Sequence, residues 1–188
     1  CMGAASGDQL SVLYQWSGAE EEKINAILKP LVDTCGIQLV ASSTRDAAVL
    51  DTQVKSTPPD VLFWPSTAPL TLYTDKLQDL SSLGGAASNY ASFWADLGTV
   101  DGKWLAVPVK ADIKTIIWYS PAQFAAFGYE VPTTFEELDS LVEKMVADGN
   151  VPWSMGMESG AATGWTGSDF IQDILLATQG PEYVNDLI

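Results

Sequence analysis

Histidine is missing from this sequence altogether. Its absence removes the commonest general base near neutral pH and the commonest ligand for zinc or copper. Ser-His-Asp, Cys-His and histidine-based metal chemistry are therefore excluded within the chain, and no metal site or cofactor is implied. Basic residues are scarce as well: nine Lys plus Arg stand against 24 Asp plus Glu, a formal charge of −15. A polyanion meets a repulsive field over most of such a surface, so nucleic acid is set aside as a partner. No stretch approaches the roughly 18 consecutive apolar residues that a membrane-spanning helix needs. What is present is 47% hydrophobic residues in 188, ample for a buried core in one large domain or two small ones.

The two cysteines have separate readings. Cys1 heads the short polar segment CMGAASGDQ, which carries little to pack. A start of Cys followed by Gly, Ala and Ser resembles a mature bacterial lipoprotein, whose N-terminal Cys1 carries the lipid. The alternatives are an arbitrary boundary at Cys1 or a Cys1–Cys35 disulfide. Cys35, at the end of an expected helix, reads as a small buried hydrophobe.

Leu10 to Gln15 is β-rich, and Ser17 with Glu20 has the spacing of a capping box in front of Ile24, Ile27, Leu28, Leu31 and Val32. Pro30 is expected to bend or break this helix and Gly36 to stop it. Residues 37–41 (IQLVA) complete a β-α-β unit. Residues 46–56 read as a weak helix, Pro58 and Pro59 end it, and 60–64 (DVLFW) read as a buried parallel strand. A loop containing Gly84 and Gly85 follows. Asp101 and Gly102 predict a hairpin turn, with strands over 104–109 and 113–119. Thr133 and Glu136 form a second capping-box pattern before Leu138, Leu141, Val142, Met145 and Val146. Ser168 is expected to cap a last helix, with Phe170, Ile171, Ile174 and Leu175 inward, until Gly180 and Pro181 stop it. Alternating strands and helices make an α/β architecture with a largely parallel sheet. Such sheets bind ligands beyond the carboxyl ends of their strands, here after Gln15, Phe63 and Val109.

The ordered segments LYQWSGAEEEKINAILKPLVDTCGIQLV, PPDVLFW, DGKWLAVPVKADIKTIIWYS, GYEVPTTFEEL and GNVPWSMGMESGAATGWTGSDFIQDILL carry a resemblance. Together they resemble an extracellular solute-binding protein (family 1) of a bacterial carbohydrate ABC importer, of the alpha-glucoside type. The resemblance implies a periplasmic-binding-protein-like type II fold, in which two α/β lobes close on a sugar that then passes to the permease subunits. It implies an N-terminal linker over 1–10, a first lobe over 11–112, and a crossing strand with an incomplete second lobe over 113–188. It also implies an extracellular or periplasmic monomer, in contact with a membrane only through a lipid on Cys1.

Sugars present faces of C–H groups and rims of hydroxyls. Aromatic rings cover the faces, burying area worth about 25 cal/mol per Å², and charged groups make the stronger hydrogen bonds to the rims. Candidate ligand contacts are therefore Trp16, Glu20, Trp64 and Ser66 in the first lobe, and Lys110 and Asp112 at the crossing. Glu158 and Trp165 are the candidates in the glycine-rich loop of the second. Glu20 also fits as the capping partner of Ser17, the reading its position favours. Lys110, Asp112 and Lys114 share a face at strand spacing. Trp104, Trp118 and Trp153 read as packing residues, and Trp94 as the anchor of a surface helix. The competing readings are a glycosidase using Asp112 and Glu158, a receptor for a non-sugar solute, and a folded fragment that binds nothing.

Overall fold

A computed structural model describes residues 1, 3–82, 86–114 and 116–187. Gly84 and Gly85, expected in a loop, and Thr115, expected in a strand, lie outside them. The chain divides into two compact units, Cys1–Ala111 and Asp112–Ile188.

The first unit is built on β1 (Gln9–Tyr14), flanked in parallel by β2 (Gln38–Ser43) and β3 (Val61–Leu62) in the order β2-β1-β3. Only β1 has a neighbour on both sides, and its alternating side chains feed two cores. Leu13 packs with Leu50, Val54 and Tyr73 on one face. Val12 and Tyr14 pack with Ile24 on the other. The two helices of this β-α-β frame, α1 (Ala19–Cys35) and α2 (Ala47–Ser56), supply Ile24 to one core and Leu50 and Val54 to the other. Asp46 caps α2, its carboxylate accepting from the N–H groups of Ala48 and Val49. Ser11 fastens the start of β3: its N–H and hydroxyl donate to Asp60 at 2.8 and 2.6 Å. Those bonds hold the Asp60 carboxyl below its ordinary range, the hydroxyl contributing most.

Several expectations change here. The residue that caps α1 is Gly18, at φ 59°, and no side chain caps that end. The third helical position is then Glu21, which accepts from the buried Tyr14 hydroxyl at 3.0 Å. Burial, followed by that carboxylate, raises the Tyr14 pKa. Pro30 lies inside a continuous α1, and Gly36 ends it in the left-handed conformation. Ile27 and Leu31 face solvent, so only part of the expected apolar stripe is used. Strand β3 is two residues at a sheet edge, and Val61 is exposed, not buried.

The segment before β1 is fastened. Cys1 and Cys35 form a disulfide, Gly7 N–H donates to the Gly36 carbonyl at 2.8 Å, and Gln38 N–H to that of Asp8 at 2.7 Å. One sulfur cannot hold both this bond and a lipid thioether. Beyond α3 (Ser92–Leu97), strands β4 (Thr99–Val100) and β5 (Lys103–Trp104) form the expected hairpin, with Asp101 at φ 49° and Gly102 at φ 76°. Trp104 is buried, whereas residues 105–111 do not continue the strand.

The second unit has no strand among its described residues. Its helices are α4 (Pro121–Phe127), α5 (Phe135–Ala147), α6 (Trp165–Gln179) and α7 (Pro181–Asp186). The apolar run after Asp112 is irregular, and Trp118, expected to pack, is 87% exposed. A β-prone side-chain pattern does not make a strand when no neighbouring strand offers hydrogen bonds. The α5 cap is shifted by one residue: Thr134 accepts from Glu137 N–H, and Glu137 Oε2 accepts from the N–H and hydroxyl of Thr133. The latter bonds depress the Glu137 pKa, the Thr133 N–H most. Tyr129 is buried and tied to the far end of α5: its hydroxyl donates to Asp148 at 3.1 Å and accepts from Asn150 Nδ2 at 2.7 Å.

Candidate functional site

In the first unit the candidates gather where β1 and β3 end. Trp16 leaves β1 and turns onto the Tyr14 core, with ring centroids 5.5 Å from Phe63 and 6.1 Å from Tyr14. Trp64 packs instead with the Leu13 core. The two indoles thus serve opposite faces of the sheet, each half-buried, and are not brought together. Ser66 accepts from Ala68 N–H at 3.1 Å and shapes the single-turn helix at Ala68–Leu72.

Glu20 does not cap its helix; it accepts from Lys110 Nζ at 3.1 Å. The reason is the one-residue shift of the α1 cap, which frees Glu20 to reach the segment after β5. The pair is about half exposed on both sides, 45% and 46%, so its contribution to stability is small. Residues 110–114 form no strand, so the shared face expected of Lys110, Asp112 and Lys114 is absent. Lys110 belongs to the first unit, and Asp112 and Lys114 to the second.

In the second unit the opening of α6 differs from expectation in a way that matters. Ser168 is not the cap; Gly164, at φ 96°, is, and the helix begins at Trp165. The preceding loop folds back on this first turn. Gly164 N–H donates to the Met157 carbonyl at 2.8 Å, and the Thr166 hydroxyl to that of Gly156 at 2.7 Å. A Cβ on Gly167 would stand 3.0 Å from the Met157 methyl, so this glycine permits the close approach.

Trp165 is 45% exposed. Lys114 Nζ lies 4.5 Å from the Trp165 ring centroid and 3.4 Å from Asp169 Oδ2. Trp165 and Asp169 are four residues apart on one helix and so share a face. Asp169 and Lys114 were not among the predicted contacts. The i, i+4 signal becomes visible only once the helix is started at Trp165. Glu158 sits exposed in the loop. Trp153 meets Phe170 edge-on at 5.7 Å and is 39% exposed, a packing residue at the surface rather than in a core. No cluster of acidic residues and cysteines suited to a metal occurs among the described residues.

A parallel sheet with helices, followed by a second unit, defines the class: a periplasmic-binding-protein-like type II α/β fold. Solved structures agree on the fold. The bacterial solute receptor AcbH, which prefers b-D-galactopyranose, superposes with a TM-score of 0.56 at 16% identity, covering 77% of this chain and 39% of that one. RafE in complex with raffinose gives 0.51 at 21% identity, covering 74% and 38%. The family model described as bacterial extracellular solute-binding protein matches residues 36–187. The chain belongs to that family.

Among curated relatives, the alpha-glucosides-binding periplasmic protein AglE of Rhizobium meliloti is 37% identical over 191 residues, 94% of this chain and 41% of AglE. The osmoprotective compounds-binding protein GgtB of Synechocystis is 34% identical over 193 residues, 96% of this chain and 46% of GgtB. The chain therefore spans less than half the length of these relatives. The four proteins are binding proteins or receptors.

Proposed function

We propose that this chain is part of a non-catalytic extracellular receptor that captures a carbohydrate, of the alpha-glucoside or oligosaccharide kind, and delivers it to the permease subunits of an ABC importer. The observation that carries the reading is the 37% identity to an alpha-glucosides-binding protein over 94% of the chain. The site chemistry supports it. Each unit presents partly exposed indole surface, Trp16 and Trp64 in the first and Trp165 in the second, and Trp165 lies beside Lys114, which also pairs with Asp169. That is what a receptor closing two lobes on a sugar requires of each lobe. Asp112 and Glu158 serve in this reading as hydroxyl partners and not as glycosidase carboxylates. The identity to GgtB keeps small osmoprotective solutes in the test panel. Attachment to a membrane through a lipid on Cys1 belongs to a form in which Cys35 is a free thiol.

Calorimetric titration with maltose and trehalose tests the reading. Binding is expected to weaken by about tenfold or more in Trp165→Ala, as loss of an aromatic platform predicts. In Trp153→Ala binding is expected to hold while the melting temperature falls. Failure of both sugars to bind, alongside binding of an osmoprotective solute, would replace the sugar with that solute. Hydrolysis of an aryl glucoside that is lost in Asp112→Asn would replace the receptor with an enzyme.

A further inference from the structure

The Trp165 ring in this unit already has an occupant. We propose that Lys114 is a displaceable cover on Trp165, so that the solute must remove the lysine ammonium from the ring and from Asp169 before it can stack. The inference rests on Trp165 being a solute contact and adds a residue that sets how readily, and by what, the contact is made.

The geometry is that of a cation held in a corner. Lys114 Nζ stands 4.5 Å from the ring centroid and 3.4 Å from the Asp169 carboxylate, whose position one helical turn along from Trp165 places it beside the same face. A pyranose ring stacks with its carbons at van der Waals distance, about 3.5–4.0 Å from the indole. The ammonium and a sugar therefore cannot hold this face together.

Removing the lysine leaves an apolar plane beside a charged acceptor. A C–H face edged by hydroxyls can replace both of the lost contacts. An apolar solute replaces only one of them, and an anion meets Asp169. The cover thus disfavours apolar and anionic solutes, which leave the Asp169 charge unpaired.

The cover is also easy to lift. Lys114 and Asp169 are 60% and 31% exposed, and the lysine stem is flexible. Both contacts are of the weak exposed kind, so displacing them lowers affinity by about 2- to 30-fold. The second lysine-over-ring contact of this unit shows the contrast. Lys144 lies 4.8 Å from the Tyr129 centroid and 2.7 Å from Asp148. Tyr129, however, is buried and its hydroxyl bonds both Asp148 and Asn150, so that ring has no face to offer.

The test compares wild type, Lys114→Met and Lys114→Arg, each with and without Trp165→Phe. Acrylamide quenching of Trp165 is read as the difference that Trp165→Phe makes, and binding of maltose and trehalose by calorimetry. Lys114→Met is expected to raise Trp165 quenching and tighten sugar binding by about 2- to 30-fold, while Lys114→Arg, which keeps a cation over the ring, stays near wild type. Unchanged quenching in Lys114→Met overturns the cover. Sugar binding of equal affinity in wild type and Lys114→Met leaves the receptor standing and overturns the displacement. Weaker binding in Lys114→Met makes Lys114 itself a solute contact and also overturns it. If no protein of the set binds either sugar, the carbohydrate reading fails and the displacement with it, whatever the quenching.

Discussion

The two units use apolar residues of similar quality to different ends. In Cys1–Ala111 a central strand places Val12, Leu13 and Tyr14 out of solvent, and two helices close over them. In Asp112–Ile188 the only buried hydrophobic side chain among the described residues is Tyr129, while Trp118, Val146, Val151 and Ile171 remain exposed. Amphipathic helices do not make a core by themselves; they need a surface against which to lay the apolar face. The first unit has its sheet. The second has none among its described residues; its ties include ring contacts such as Phe124 with Tyr129 and Trp153 with Phe170, and polar bonds such as Thr134 with Glu137 and Tyr129 with Asp148.

The sharpest way to break this comparison is to cut into the β1 core. Leu13→Ala removes a fully buried side chain from the Leu50, Val54 and Tyr73 cluster and is expected to cost about 2–5 kcal/mol. In urea or thermal unfolding followed by circular dichroism, this loss should fall on the transition of the first unit alone. A loss below about 1 kcal/mol would mean that the site collapses onto the gap and that the core is not what holds this unit.

The disulfide gives the next largest effect. Cys1 and Cys35 are 34 residues apart, and closing a loop of that size stabilises by about 2–4 kcal/mol. Reduction, or Cys35→Ser, should lower the stability of the first unit by that amount and speed amide exchange at Gly7 and Gln38, whose N–H groups bond across the same junction. The second unit should not respond. Alkylation that adds one group instead of two, and does so without prior reduction, would show that Cys1 carries something other than Cys35.

The sequence revealed most where structure depends on neighbours along the chain. The β-α-β frame, the αL stop at Gly36 and the Asp101–Gly102 hairpin follow from local chemistry, and all are present. It misled where a choice between near-equal local options is decided at a distance. The α1 box gave way to a cap at Gly18, with Glu20 taken by the distant Lys110. The α5 cap moved to Thr134 because Glu137, not Glu136, reaches back. The α6 start moved from Ser168 to Gly164 because the loop hydrogen-bonds back through Met157. That last shift hid Asp169, since Trp165 read as loop has no fourth neighbour. Of the candidate contacts, Glu20 and Lys110 meet each other, and Trp165 meets a lysine that had been read only as one of an alternating strand face.

The smallest expected effect is the most informative about the second unit. Ile171 lies on α6 and was expected to face inward, yet it is 59% exposed. Truncating an exposed side chain costs little, so Ile171→Ala should change stability by no more than about 0.5 kcal/mol. Alanine is also the better helix former, which offsets part of even that loss. Phe170, its neighbour, is half-buried against Trp153, and Phe170→Ala should cost more than Ile171→Ala. An Ile171→Ala loss of about 2 kcal/mol or more would mean that the outer face of α6 is covered in solution, and the difference between the two units would then lie in what covers their helices and not in whether they are covered.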